Sequence, residues 1–146
     1  MMLRRSFPVS FALFAAASAF GCSTPQDEPG DVVFPEEPLA VLQTEKNMYT
    51  VEVRTSPSQP PSRGRSDVEL RFVNTDGEPS DGLQLSVTPF MPDMAHATST
   101  ETEVDALGDG RYQASPVDMV MAGHWVLRLS VEGPASDGAS IEMDIE

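Results

Sequence analysis

Trp125-Val126-Leu127-Arg128-Leu129-Ser130-Val131-Glu132 is the stretch that decides the fold. Successive side chains of an extended strand point to opposite faces, so Trp125, Leu127, Leu129 and Val131 share one face and Arg128, Ser130 and Glu132 the other. One apolar face and one wet face mark a half-buried antiparallel strand. The same period of two recurs along the chain. Tyr49, Val51 and Val53 alternate with Thr50, Glu52 and Arg54. Val68, Leu70 and Phe72 alternate with Glu69 and Arg71, and Leu83, Leu85 and Val87 with Gln84 and Ser86. Ile141, Met143 and Ile145 alternate with Glu142, Asp144 and Glu146, and Arg111-Tyr112-Gln113-Ala114 reads as a shorter strand. Turn residues lie between these runs: Ser56 to Gly64, Asn74-Thr75-Asp76-Gly77, Gly108-Asp109-Gly110 and Gly133 to Gly138. No stretch shows helical periodicity. Short strands at this spacing predict an all-β, two-sheet antiparallel β-sandwich of about seven strands. Cys22 is the only cysteine, which excludes a disulfide-pinned antibody-type domain.

Ahead of these strands stand a targeting segment and a tether. Arg4 and Arg5 precede an apolar run from Phe7 to Phe20. A run of about 14 residues is too short to span a bilayer, which takes roughly 20. It is a signal sequence and stands outside the fold. It ends at Ala19-Phe20-Gly21-Cys22, which resembles a lipobox, with cleavage before Cys22 and lipid on that residue. The rival reading is ordinary secretion, cleaved after Ala17-Ser18-Ala19. Either way the domain is expected outside the cytoplasm, in the cell envelope. Ser23 after the cysteine favours an outer-membrane or cell-surface lipoprotein, the alternative being a secreted or periplasmic protein. Pro25, Pro29, Pro35 and Pro38, mixed with Asp27, Glu28, Asp31, Glu36 and Glu37, keep the next segment extended. The expected organisation is a lipoprotein-type signal peptide (1–21), a tether (22–46) and one domain (47–146).

The chain is strongly acidic, with 23 Asp and Glu against 9 Lys and Arg and a formal charge of −14. Such a surface repels phosphates, so no nucleic-acid partner is expected. It equally disfavours electrostatic attachment to anionic lipid, which leaves the N-terminal lipid as the membrane link.

Both histidines sit beside methionine pairs: Met91-Pro92-Asp93-Met94-Ala95-His96, and Met119-Val120-Met121-Ala122-Gly123-His124. Thioether with imidazole is a soft ligand set, suited to Cu(I). Pro92 fits position i+1 of a β-turn with Met91 and Met94 at its ends. An extended chain beyond Met94 would turn Met94 and His96 to one face. Met91, Met94 and His96 are therefore candidate primary ligands, with Met119, Met121 and His124 as auxiliaries. Met119 and Met121 would share a face if the chain there is extended. The competing reading is that the methionines are packing residues that fill gaps in the sandwich. His124 is expected to face outward if Trp125 faces the core.

Four of these elements, in this order, resemble the YtkA-like and FixH-like domains. They are Leu70-Arg71-Phe72-Val73-Asn74-Thr75-Asp76-Gly77-Glu78-Pro79, then Met91-Pro92-Asp93-Met94-Ala95-His96. Next come Gly108-Asp109-Gly110-Arg111-Tyr112-Gln113-Ala114 and Ala122-Gly123-His124-Trp125-Val126-Leu127. The resemblance runs from about Asp67 to Val131. It implies an immunoglobulin-like sandwich in the bacterial envelope, in a family with links to cation pumps and copper-oxidase assembly. Two positions depart from the family: glycine is usual where Ala95 stands, and His124 is not a fixed histidine.

Other chemistry lacks support. No Ser/His/Asp or Cys/His arrangement has motif context. Glu101, Glu103, Asp105 and Asp109 lie in a polar stretch where a buried, shifted carboxylate is not expected. No catalytic residue is assigned and no enzyme is expected. The leading expectation is a non-enzymatic envelope lipoprotein that binds copper as an accessory or chaperone-like protein. The alternative is a metal-free structural or interaction sandwich that associates with a membrane partner, such as a cation transporter or an oxidase-assembly protein.

Overall fold

The computed structural model describes residues 32–146, so the signal segment, Cys22 and the start of the tether lie outside the described residues. Nine strands follow in order: β1 (Ala40–Gln43), β2 (Tyr49–Ser56), β3 (Gly64–Asn74), β4 (Gln84–Met91), β5 (His96–Ala97), β6 (Glu103–Gly108), β7 (Arg111–Met119), β8 (Gly123–Glu132) and β9 (Asp137–Ile145). They form two antiparallel sheets, β1-β2-β3-β7-β6 and β5-β4-β8-β9. This is the expected all-β sandwich, with nine strands in place of about seven.

The additional strands are β1, β5 and β6, and each has a reason to be weak in sequence. β5 is only two residues long. β6 is an edge strand with mostly exposed side chains, and only Val104 packs against the core. β1 lies inside the segment expected to be tether. Its Leu42 and Ala40 rest on the core while Val41 points out, an alternation that an all-apolar triplet conceals. The tether expectation is corrected accordingly, because from Val33 onward the backbone is held by β2 and the loop after it. Ser56 donates to the Val33 carbonyl, Arg54 to the Glu36 carbonyl and Gln59 to the Glu37 carbonyl, and the Leu39 N–H donates to Val53.

Most of the inward set predicted from period two is the core, with Leu83 and Leu85 half-buried against it. Val51, Val53, Val68, Leu70, Phe72, Trp125, Leu127 and Val131 are fully buried or nearly so. Tyr49, Phe72 and Tyr112 form two edge-to-face ring pairs, with centroids 6.0 and 5.8 Å apart. Tyr112 also clamps the β3–β4 connection, donating its hydroxyl to the Ser80 carbonyl at 2.8 Å and accepting from Leu83 N–H at 3.0 Å. Gly110 explains the Gly-Asp-Gly-Arg-Tyr turn. It sits at φ 69°, and a Cβ there would collide with the Phe72 carbonyl oxygen. Only glycine allows that approach.

The outer face of the first sheet carries a ladder of ion pairs, one within β2 and the rest across strands. Arg54 meets Glu52 at 2.9 Å and Glu69 at 3.5 Å, Arg71 meets Glu52 at 3.7 Å, and Arg111 meets Glu69 at 3.8 Å. Asp137 ties the β1–β2 turn to β9 by accepting from Lys46 N–H and Met48 N–H. Burial alone would raise its pKa. The hydrogen bonds from the turn outweigh that and hold it below the ordinary aspartate value.

Strand register decides which loops meet. Gly64 pairs with Met119, Gly123 with Ile145, Phe90 with Val126, and Met91 with His96. The β2–β3, β4–β5 and β7–β8 connections therefore crown the same end of the sandwich. Both methionine–histidine segments belong to that crown.

Candidate functional site at the methionine–histidine rim

Met91 closes β4 and is 5% exposed. Its methyl group lies against Gly123, so close that a Cβ there would stand 2.5 Å from it. Pro92–Met94 then forms one 3-10 turn, begun by the proline and closed by Ala95 N–H donating to the Pro92 carbonyl at 3.0 Å. The expected turn is present. The expected extension after it is not, because Ala95 is left-handed at φ 47°, ψ 37° and reverses the chain into β5. Met94 projects from this turn, 62% exposed. His96 is placed by its backbone, paired with Met91 in β5.

The second segment divides in the same way. Met119 is the last residue of β7 and is 1% exposed. The strand stops there, and Val120–Ala122 turn the chain into β8. Met121 is consequently exposed (37%) and does not share a face with buried Met119, contrary to the extended-chain expectation. The indole N–H of Trp125 donates to the Met121 carbonyl at 2.9 Å and pins this turn. Trp125 itself is buried, so His124 faces outward, as expected.

His124 has a defined partner. Its Nδ1 lies 3.0 Å from Oδ1 of Asp144, the residue directly opposite on β9. The Asp144 hydrogen bond raises the His124 pKa above the ordinary 6.5, outweighing slight desolvation, with further help from the charges of Asp144, Glu142 and Asp93. Asp93 belongs to the 3-10 turn, which packs against β8. The turn carrying Met94 therefore stands beside the strand carrying His124.

The structure thus brings the two segments to one rim and divides their donors. Met91 and Met119 belong to the core. Met94 and Met121 are exposed, and the His124 side chain is partly so. A carboxylate on Nδ1 fixes the ring and leaves Nε2 to act, as outer-shell carboxylates do for metal-binding histidines. Two thioethers and one imidazole suit Cu(I) or Ag(I), not the oxygen-rich shells of calcium. Among the described residues no three His, Cys, Asp or Glu side chains gather in the manner of a zinc site. Asp144 and Asp93 escaped sequence reading because only strand pairing and turn packing bring them to His124. The carboxylates Glu101, Glu103, Asp105 and Asp109 are all exposed.

A two-sheet antiparallel sandwich with an exposed thioether–imidazole rim defines the class: a small all-β domain with a soft-donor end. The model of the YtkA-like family matches residues 43–130, more than half of the chain, and the chain belongs to that family. No curated protein and no solved structure matches the chain. The matched span covers both methionine–histidine segments and ends before β9 begins.

Proposed function

We propose that this YtkA-like protein is a non-enzymatic, envelope-anchored module that holds Cu(I) at its rim through Met94, Met121 and His124, as an accessory to a copper-using or copper-moving partner. One observation carries the reading. Each methionine pair sends one member into the core and leaves the other exposed, and the exposed pair share the rim with a carboxylate-oriented histidine. Exposed methionine thioethers near an imidazole offer the soft donors that reduced copper prefers. The envelope location rests on the Arg4-Arg5 start, the Phe7–Phe20 run and Cys22 as a lipid acceptor.

A second reading has its own support. Met94, Val120 and Met121 leave exposed apolar surface on the same crown, and such surface also suits a metal-free contact with a membrane protein. Titration with Cu(I) against a competing chelator separates the two. Met94→Ala, Met121→Ala, His124→Ala together should weaken binding by about 100-fold, roughly one order of magnitude per 1.4 kcal/mol lost. Met91→Leu with Met119→Leu should leave affinity unchanged, since these thioethers only pack. Equally weak binding by the rim variant and the native chain would end the copper reading and leave the interaction reading.

A further inference from the structure

The two sheets differ in how they treat charge and edges. On the first sheet, Arg54, Arg71 and Arg111 neutralise Glu52 and Glu69. On the second, the outer face of β9 presents Glu142 and Asp144, and Glu146 continues the row; among the described residues none of the three pairs with Lys or Arg. β9 is also an edge strand nine residues long. Glu45 N–H donates across that edge to the Gly138 carbonyl, and among the described residues no other backbone bond crosses it. Because outward-pointing groups recur every second residue, Ser140, Glu142 and Asp144 present free N–H and C=O groups there. Beside this open stretch lies a cleft of about 240 Å³, lined by Leu39, Ala40, Pro60, Pro61 and the residues of β9 from Ile141 to Asp144.

We infer that the Ser140–Asp144 edge of β9 takes an extended basic peptide of a partner protein as an added strand. The ladder amides of Ser140, Glu142 and Asp144 hydrogen-bond its backbone. Its side chains alternate, with cationic residues over Glu142, Asp144 and Glu146 and apolar residues entering the cleft against Leu39 and the two prolines. Charge selects this occupant over the others. A second copy pairing through β9 would set Glu142 and Asp144 against each other, and like charges facing across strands destabilise. Residues 22–31 of this chain are acidic and interrupted by Pro25 and Pro29, which lack the N–H that an added strand must donate. The inference is independent of metal at the rim.

The test uses the full chain in detergent with a copper chelator present, and a fluorescein-labelled nonapeptide of alternating lysine and valine. Saturable binding is expected, with amide resonances of Ser140, Glu142 and Asp144 shifting more than those of β1 and β6, the edges of the other sheet. Glu142→Lys with Asp144→Lys should weaken binding about tenfold or more. Methylating alternate amide nitrogens of the peptide preserves its charge and should abolish binding to the native chain. No binding, equal binding of the methylated peptide, equal binding by the charge-reversed variant, or shifts confined to other edges would each overturn the inference.

Discussion

At residue scale, Ala95 and His124 carry the sharpest consequences. Ala95 holds a left-handed conformation, which costs an L-residue about 1–2 kcal/mol. A positive φ of this kind is the conformation that glycine adopts without penalty. Ala95→Gly removes the left-handed penalty but adds freedom to the unfolded chain, so a net gain of about 0.5 kcal/mol is expected in urea unfolding. A loss above 1 kcal/mol would mean that the turn is not left-handed in solution. His124 has its pKa raised, chiefly by the Asp144 hydrogen bond. A raised pKa means that the fold prefers the protonated ring. That contribution is full below 6.5 and disappears as pH rises through the folded value. Asp144→Asn should therefore lower the His124 titration midpoint, followed by its ring proton shifts, and flatten this part of the pH–stability profile. An unmoved midpoint would show that the pair does not form.

At element scale, β1 is the test of where the domain starts. Prolines and acids in the sequence point to a boundary near Asn47, yet β1 pairs with β2 from Ala40↔Val53 to Gln43↔Thr50. Thr44 then closes the turn by accepting from Tyr49 N–H at 3.0 Å. A chain begun at Asn47 loses this pairing and uncovers the core beneath Leu39 and Leu42. It should be less stable than a chain begun at Val32 by about 2–4 kcal/mol, measured by thermal and denaturant unfolding. Equal stability would return residues 32–46 to the status of a tether. The long strands β2, β3, β8 and β9 were legible because period two holds over five or more residues with apolar side chains on one face only. β1, β5 and β6 were not. Each is a short or exposed strand whose partner, rather than its own pattern, keeps it extended.

At the scale of the whole molecule, charge is distributed unevenly. The chain carries −14, while three arginines are drawn into the ladder on the first sheet. Self-repulsion elsewhere, the β9 row included, is largely uncompensated. Raising salt from roughly 0.01 to 0.2 M shortens the screening length from about 30 Å to under 10 Å. The melting temperature should then rise by several degrees, about 1 kcal/mol for a domain of this size. A fall would mean that the screened ladder outweighs the relieved repulsion.

The sequence by itself determined the class of fold, the inward set of side chains, the outward aim of His124 opposite an inward Trp125, and the two segments able to supply soft donors. These are local properties, since strand periodicity and side-chain chemistry can be read without knowing what the strand touches. Only the tertiary structure decided which methionine of each pair is buried, that the two segments share one crown, and that Asp144 holds His124. Those outcomes depend on where β7 stops, on a left-handed Ala95 and on pairing between strands distant in the chain. Register brings together residues that no local pattern connects.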